Sequence, residues 1–143
     1  MKLVKHLLEA KGRNVISIAP DASVFEAIKV MADESIGSLV VLDENGKLTG
    51  IVTERDYARK VIVMGRSSKD TRVAEIMTTD VLTANCEHTV NACMEIMTER
   101  KIRHLPVVDD GRVIAMVSIG DLVQAIIADQ QEEIEHLEHY ISG

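Results

Sequence analysis

Gly50-Ile51-Val52-Thr53-Glu54-Arg55-Asp56 is the stretch on which the reading of this chain turns. An apolar strand ending at Val52 runs straight into a helix that opens at Thr53. A hydroxyl at that junction can accept a hydrogen bond from a backbone N–H of the first helical turn, whose donors have no partner within the helix. The acidic residue three positions on, Asp56, can complete a capping box or face a ligand. Sixty-five residues later Ala115-Met116-Val117-Ser118-Ile119-Gly120-Asp121 repeats the pattern: apolar strand, hydroxyl at the turn, aspartate three residues on. One such turn carries little information. Two in register mark an internal repeat.

The flanks of both turns repeat as well. In the first half, Val15-Ile16-Ser17-Ile18 predicts a short strand and Ala19-Pro20-Asp21 a turn. Ser23 is placed to cap a helix whose buried stripe is Val24, Ala27, Ile28 and Met31. Gly37 closes that region. Ser38–Leu42 is a continuous apolar strand, Asp43-Glu44-Asn45-Gly46 carries the Asn-Gly signal of a tight hairpin, and 47–52 returns. A helix is expected from Thr53 to Met64, then a polar linker. In the second half Val81-Leu82-Thr83-Ala84 answers the first strand, and Thr89 caps a helix with Val90, Cys93, Met94 and Met97 on its apolar side. Leu105-Pro106-Val107-Val108 matches Leu39-Val40-Val41-Leu42. The hairpin Asp109-Asp110-Gly111 is one residue shorter than its counterpart, which drops the repeat shift from 66 to 65.

Each half therefore reads β-α-β-β-α, an α+β class with α/β-like order. Neither sheet is wide enough to cover itself, so the halves are expected to pack sheet to sheet as one pseudo-twofold unit. The expected divisions are 1–13, an amphipathic helix with Leu3, Leu7 and Leu8 on one side; 14–65, the first repeat; 66–73, a linker; 74–128, the second repeat; and 129–143, a helical extension. No Gly or Pro interrupts the helical pattern between Asp121 and Gly143. Leu122, Val123, Ile126 and Ile127 form one stripe, and Ile134, Leu137 and Ile141 extend another. This seam is expected to meet a partner subunit, the N-terminal helix or its own domain.

Composition narrows the class. Hydrophobic residues make up 46% of the 143, enough for a core, but one Phe, two Tyr and no Trp make that core aliphatic. Stacking platforms for single-stranded nucleic acid are scarce, and a net charge of −7 argues against a general nucleic-acid surface. Nothing resembles a signal peptide or a membrane span, so the expected location is the cytoplasm. Cys86 and Cys93 lack CxxC spacing and are read as reduced, semi-buried thiols.

The paired turns, together with Arg103-His104-Leu105-Pro106-Val107-Val108, resemble a tandem pair of cystathionine-β-synthase (CBS) domains, the Bateman module, over about residues 14 to 128. Thr53-Glu54-Arg55-Asp56-Tyr57-Ala58-Arg59-Lys60 and the tail Glu138-His139-Tyr140-Ile141 resemble small stand-alone bacterial members. The resemblance implies a regulatory protein, not an enzyme. It implies an adenine nucleotide (AMP, ADP, ATP, with NAD or S-adenosylmethionine in some members) in the cleft between the domains, reporting energy or redox status to a partner. It implies a homodimer and no required metal.

Carried over residue by residue, Asp56 and Asp121 become ribose ligands, since a carboxylate at a helix start can accept from both ribose hydroxyls. Thr53 and Ser118 then lie beside the sugar-phosphate, where free N–H groups and the helix dipole favour anions. Arg103, His104 and Arg55 are the candidate phosphate cations. Gly37 and Ser38, which correspond to Arg103 and His104 in the first half, leave a small neutral space that a phosphate could enter, and Arg59 and Lys60 are read as surface charges. Adenine is expected against Ile16, Ser17, Ile18 and Ala19, and against Thr83 and Ala84 within Leu82 to Asn85. The second copy has Ala115 for Gly50 and Gly120 for Arg55, so the Asp56 site is expected to bind tighter or to take the more highly charged ligand.

Other chemistries are weaker. His136 and His139 with Glu132 and Glu135 have metal-like helical spacing but read as an exposed charged tail. GxSxG and Walker-type motifs are absent. The competing reading is a scaffold with vestigial nucleotide sites.

Overall fold

The computed structural model describes residues 2–142, and Gly143, the expected end of the last helix, lies outside them. Two compact units result. One holds Val15–Leu82 with Asp110–Val113; the other holds the chain up to Asn14, Thr83–Asp109, and the chain from Ile114.

In the first unit, β1 (Ser17–Ile18), β2 (Ser38–Leu42) and β3 (Leu48–Thr53) form a sheet in that order. β1 lies parallel to β2, pairing Ser17 with Val40, so the chain must cross over, and helix α2 (Val24–Glu34) makes the crossing. Ser23 caps α2 as expected, its hydroxyl accepting from the Glu26 N–H at 3.1 Å. Ser35 ends the helix in the left-handed region at φ 55°, which lets the Ile36 N–H reach back to the Met31 carbonyl. The stripe Val24, Ala27 and Met31 packs on Leu39, Val41 and Val52, an aliphatic core. Val61, Val73 and Ile76 complete it.

The hairpin after β2 is looser than the Asn-Gly signal predicts. Gly46 alone of Asn45 and Gly46 has positive φ, at 77°, so the turn is not the two-residue type that needs both. Asp43 closes it instead, its Oδ1 accepting from the N–H groups of Asn45 and Lys47 at 2.9 Å each. The second hairpin has both: Asp110 at φ 52° and Gly111 at φ 77°. That difference in turn type accounts for the lost residue.

Helix α3 starts at Glu54 with Thr53 as its cap but is α-helical only to Tyr57. From Ala58 to Ile62 the chain winds wider, with the Val63 N–H bonded to the Ala58 carbonyl five residues back at 3.0 Å. Sequence patterning does not predict this register change. A one-turn helix, α4 (Val73–Ile76), is also absent from the sequence reading. It is tied down by bonds from the N–H groups of Val73 and Ala74 to the carbonyls of Ala22 and Pro20.

In the second unit, α5 (Val90–Arg100) is capped by Thr89, whose Oγ1 accepts from the Ala92 N–H at 3.0 Å. β4 (His104–Asp109) and β5 (Arg112–Ser118) form a two-stranded sheet. The strand expected at 81–84 does not form. Ala84 makes a single parallel bridge to Val107, its N–H donating to the Pro106 carbonyl. Pro106 stands where the first repeat has Val40 and has no N–H to extend that ladder. Asn85 then turns the chain away, its Oδ1 accepting from the Glu87 and His88 N–H groups.

Helix α1 runs from Val4 to Lys11, within the expected 1–13. Leu3 is held outside it by donating its N–H to the His6 Nδ1 at 3.1 Å, and Gly12 ends it at φ 93°. Val4, Leu7 and Leu8 are buried, and the Val4 N–H donates to the His88 carbonyl. The last helix, α6 (Ile119–Ser142), is continuous for 24 residues, and Lys2 pairs with its Glu132 at 3.6 Å.

Candidate functional site

The two strand-to-helix turns fold as matched capping boxes. Thr53 Oγ1 accepts the Asp56 N–H at 3.0 Å, and Asp56 Oδ2 accepts the Thr53 N–H and hydroxyl at 3.1 Å each. In the second unit Ser118 Oγ accepts the Asp121 N–H at 3.1 Å, and Asp121 Oδ2 accepts the Ser118 N–H at 2.8 Å. Each aspartate is thus set by its own helix start, with its head aligned to the positive end of the dipole.

Each turn is also pinned to the residue that opens the neighbouring strand. The Glu54 N–H donates to the Gly37 carbonyl at 3.1 Å, and the Ile119 N–H donates to the Arg103 carbonyl at 2.9 Å. Gly37 and Arg103 are equivalent positions in the repeat, so the same backbone bond is made in both units. Ser38 sits buried across from Thr53 in the sheet. Arg103 is exposed beside the second turn, and Arg55 is exposed on the first helix turn. His104, partly buried, opens β4.

The sequence reading missed the counter-cations. Lys60 Nζ lies 3.1 Å from Asp56 Oδ1 and donates to the Ile76 carbonyl at 2.8 Å. It is exposed, as expected of a surface charge, and it also belongs to the first turn's network. Its equivalent in the second repeat is Ala125, which carries no charge. There the ammonium comes from elsewhere: Lys11, at the end of α1, pairs with Asp121 Oδ2 and donates to the Met116 carbonyl at 2.6 Å. Partial burial of the Asp121 carboxyl pushes its pKa up, but the Lys11 ammonium and the Ser118 N–H outweigh that and hold it below the usual carboxylate value. The Lys60 contact was legible as an i,i+4 pair. The Lys11 contact spans 110 residues and leaves no local signal.

Gly50 is required by space. A Cβ there would lie 2.8 Å from the Thr78 carbonyl oxygen and 2.7 Å from Met77 Sδ, because Thr78 pairs with Ile51 against the strand. Ala115, its counterpart, carries a methyl that is fully buried. At Gly120 a Cβ would meet nothing closer than Ser118 Oγ at 3.6 Å.

The segments expected to face adenine are less uniform. Ser17 and Ala19 are exposed and Ile16 and Ile18 partly buried, on the edge strand separated from β3 by β2. Thr83 is exposed, whereas Ala84 is 2% exposed, its side chain turned into the core. Among the described residues no three His, Cys, Asp or Glu side chains come together as a metal site, and no helix is long and apolar enough to cross a membrane. Cys86 and Cys93 are free thiols, and burial pushes the Cys93 thiol up.

Comparison with known proteins agrees with this duplicated architecture. The family model for the CBS domain matches twice, over residues 7–63 and 73–128. A putative signal-transduction protein with CBS domains from Burkholderia ambifaria is 47% identical with a TM-score of 0.85, over 90% of this chain and 96% of that one. The CBS domain pair of protein MJ0100, solved in complex with 5-methylthioadenosine and S-adenosyl-L-methionine, is 32% identical with a TM-score of 0.80, over 90% and 98%. A CBS domain-containing mitochondrial protein of Arabidopsis thaliana is 41% identical over 98% of this chain and 72% of its own length. With two matched domains, two capped turns and relatives spanning nearly its whole length, this chain belongs to the CBS domain family as a tandem pair.

Proposed function

We propose that the chain is a regulatory module that binds an adenosine-containing ligand, an adenine nucleotide such as AMP, ADP or ATP, or NAD, and signals the occupancy to a partner protein as a homodimer without itself catalysing a reaction. The observation that carries this reading is the twofold placement of an aspartate at a strand-to-helix turn, its carboxylate oriented by the backbone of its own helix start. Such a group can exchange internal bonds for the two hydroxyls of a ribose at little cost in reorganisation. Thr53 and Ser118 flank the sugar, and Arg55, Arg103 and His104 serve the phosphate side. Ser17, Ala19 and Thr83 offer the exposed edges for the base. The complex of the MJ0100 pair with two adenosine derivatives supports this ligand class. Ligand binding would shift the protein between states only by its differential affinity for them.

A scaffold with vestigial sites is the second reading, favoured by one observation: both carboxylates already carry a lysine partner within their own unit. Thermal-shift measurements with AMP, ADP, ATP, NAD, NADH, S-adenosylmethionine and methylthioadenosine separate the two. The sensor reading expects a saturable stabilisation by at least one of them. No shift with any at millimolar concentration would leave the scaffold.

A further inference from the structure

The exposed face of α6 has a regularity that neither repeat requires. Val123, Ile127, Gln130, Ile134, Leu137 and Ile141 follow one another at alternating steps of four and three, a heptad seam with Ile127, Ile134 and Ile141 at one core position and Val123, Gln130 and Leu137 at the other. The five apolar members are each at least 42% exposed. They lie on a different side of the helix from Leu122, Ala125, Ile126 and Asp129, four of the less exposed positions of α6. Most of the seam runs beyond residue 128, past the family match.

We propose that this seam pairs with the same helix of a second copy as an antiparallel two-stranded coiled coil. The spacing selects a helix of the same period, since a 3.5-residue repeat interlocks only with its like. Charge selects the direction. A parallel, in-register pair sets Glu133 of one helix beside Glu138 of the other, twice, at the flanks where like charges repel. Reversing one helix about a centre between Ile134 and Leu137 removes both clashes. Ile134 then meets Leu137 of the partner copy, Gln130 meets Ile141, and the flanking pairs become Gln131 with Glu138 and Glu133 with Tyr140. An anionic membrane is a poor occupant, because α6 contains five acidic residues between 129 and 138 and no Lys or Arg. The paired core, from Gln130 to Ile141, is under two heptads and shorter than a standard-size interface, so the association is weak and reversible at micromolar protein. This inference does not depend on the ligand reading.

The test uses the full chain with Cys86→Ser, leaving the buried Cys93 in place. An equimolar mixture of the Gln130→Cys and Ile141→Cys variants should form an intermolecular disulfide on mild oxidation, while Ile141→Cys alone should not. In sedimentation velocity, Ile134→Glu with Leu137→Glu should weaken dimerisation by roughly 100-fold. Both substituted positions are exposed, so folding is checked by an unchanged melting temperature at a concentration where the protein is monomeric. Cross-linking of Ile141→Cys with itself would overturn the antiparallel arrangement. A dimer that survives the double substitution, or no cross-link and a mass that is monomeric throughout, would give this face to another occupant and overturn the proposal.

Discussion

At the scale of single residues, each turn aspartate is held by its own helix start and by one lysine. Thr53→Ala removes both the acceptor for the Asp56 N–H and a donor to its carboxylate, and should destabilise the first unit by about 1 kcal/mol in chemical denaturation. Gly50→Ala acts differently. It drives a methyl into the Thr78 carbonyl and should cost about 1–3 kcal/mol, because backbone has to move. The reverse change, Ala115→Gly, removes a buried methyl. Lys11 gives a pH-dependent signature. With its folded pKa held below the unfolded value, the Asp121 carboxylate adds stability that is fully present above the unfolded carboxylate value of about 4 and is lost as pH falls through the folded value. Lys11→Met should therefore lower the melting temperature at pH 7, and the gap to the unsubstituted protein should close below about pH 4. A gap constant with pH would mean that Lys11 acts through packing alone.

Elements show where local sequence was sufficient. The caps of α2, α3, α5 and α6 were legible because a hydroxyl and its N–H partner lie three residues apart, within reach of one turn. The wider turn from Ala58 was not, since hydrogen bonds five residues back follow from no local propensity; Val61, within it, is fully buried in the core. The strand expected at 81–84 failed for a reason that lies in another strand: Pro106 lacks the donor that its counterpart Val40 supplies. Pro106→Val restores that donor and should lengthen the pairing around Ala84, read as a protected new amide at 106 and slower amide exchange at its neighbours. The Asn45-Gly46 pair misled because Asp43 offered a competing side-chain closure of the same turn.

For the molecule as a whole, duplication was the most legible property, and it carried the family assignment through Thr53, Asp56, Ser118 and Asp121. What duplication concealed was the source of the second turn's cation. By sequence, the second site lost a guanidinium when Gly120 replaced Arg55. In the fold it gains the Lys11 ammonium from α1, a residue outside the repeat pattern. The N-terminal helix thereby becomes part of the second unit's chemistry, and a ligand that takes Asp121 has to displace or share that lysine. Calorimetric titration of the unsubstituted protein, Asp56→Ala and Asp121→Ala with an adenine nucleotide or S-adenosylmethionine is the most direct test of the ribose assignment. Each substitution should weaken its own site by about 10- to 100-fold and spare the other, as expected when a charge-assisted bond to the ligand is lost. Titration curves unchanged in both variants would contradict it.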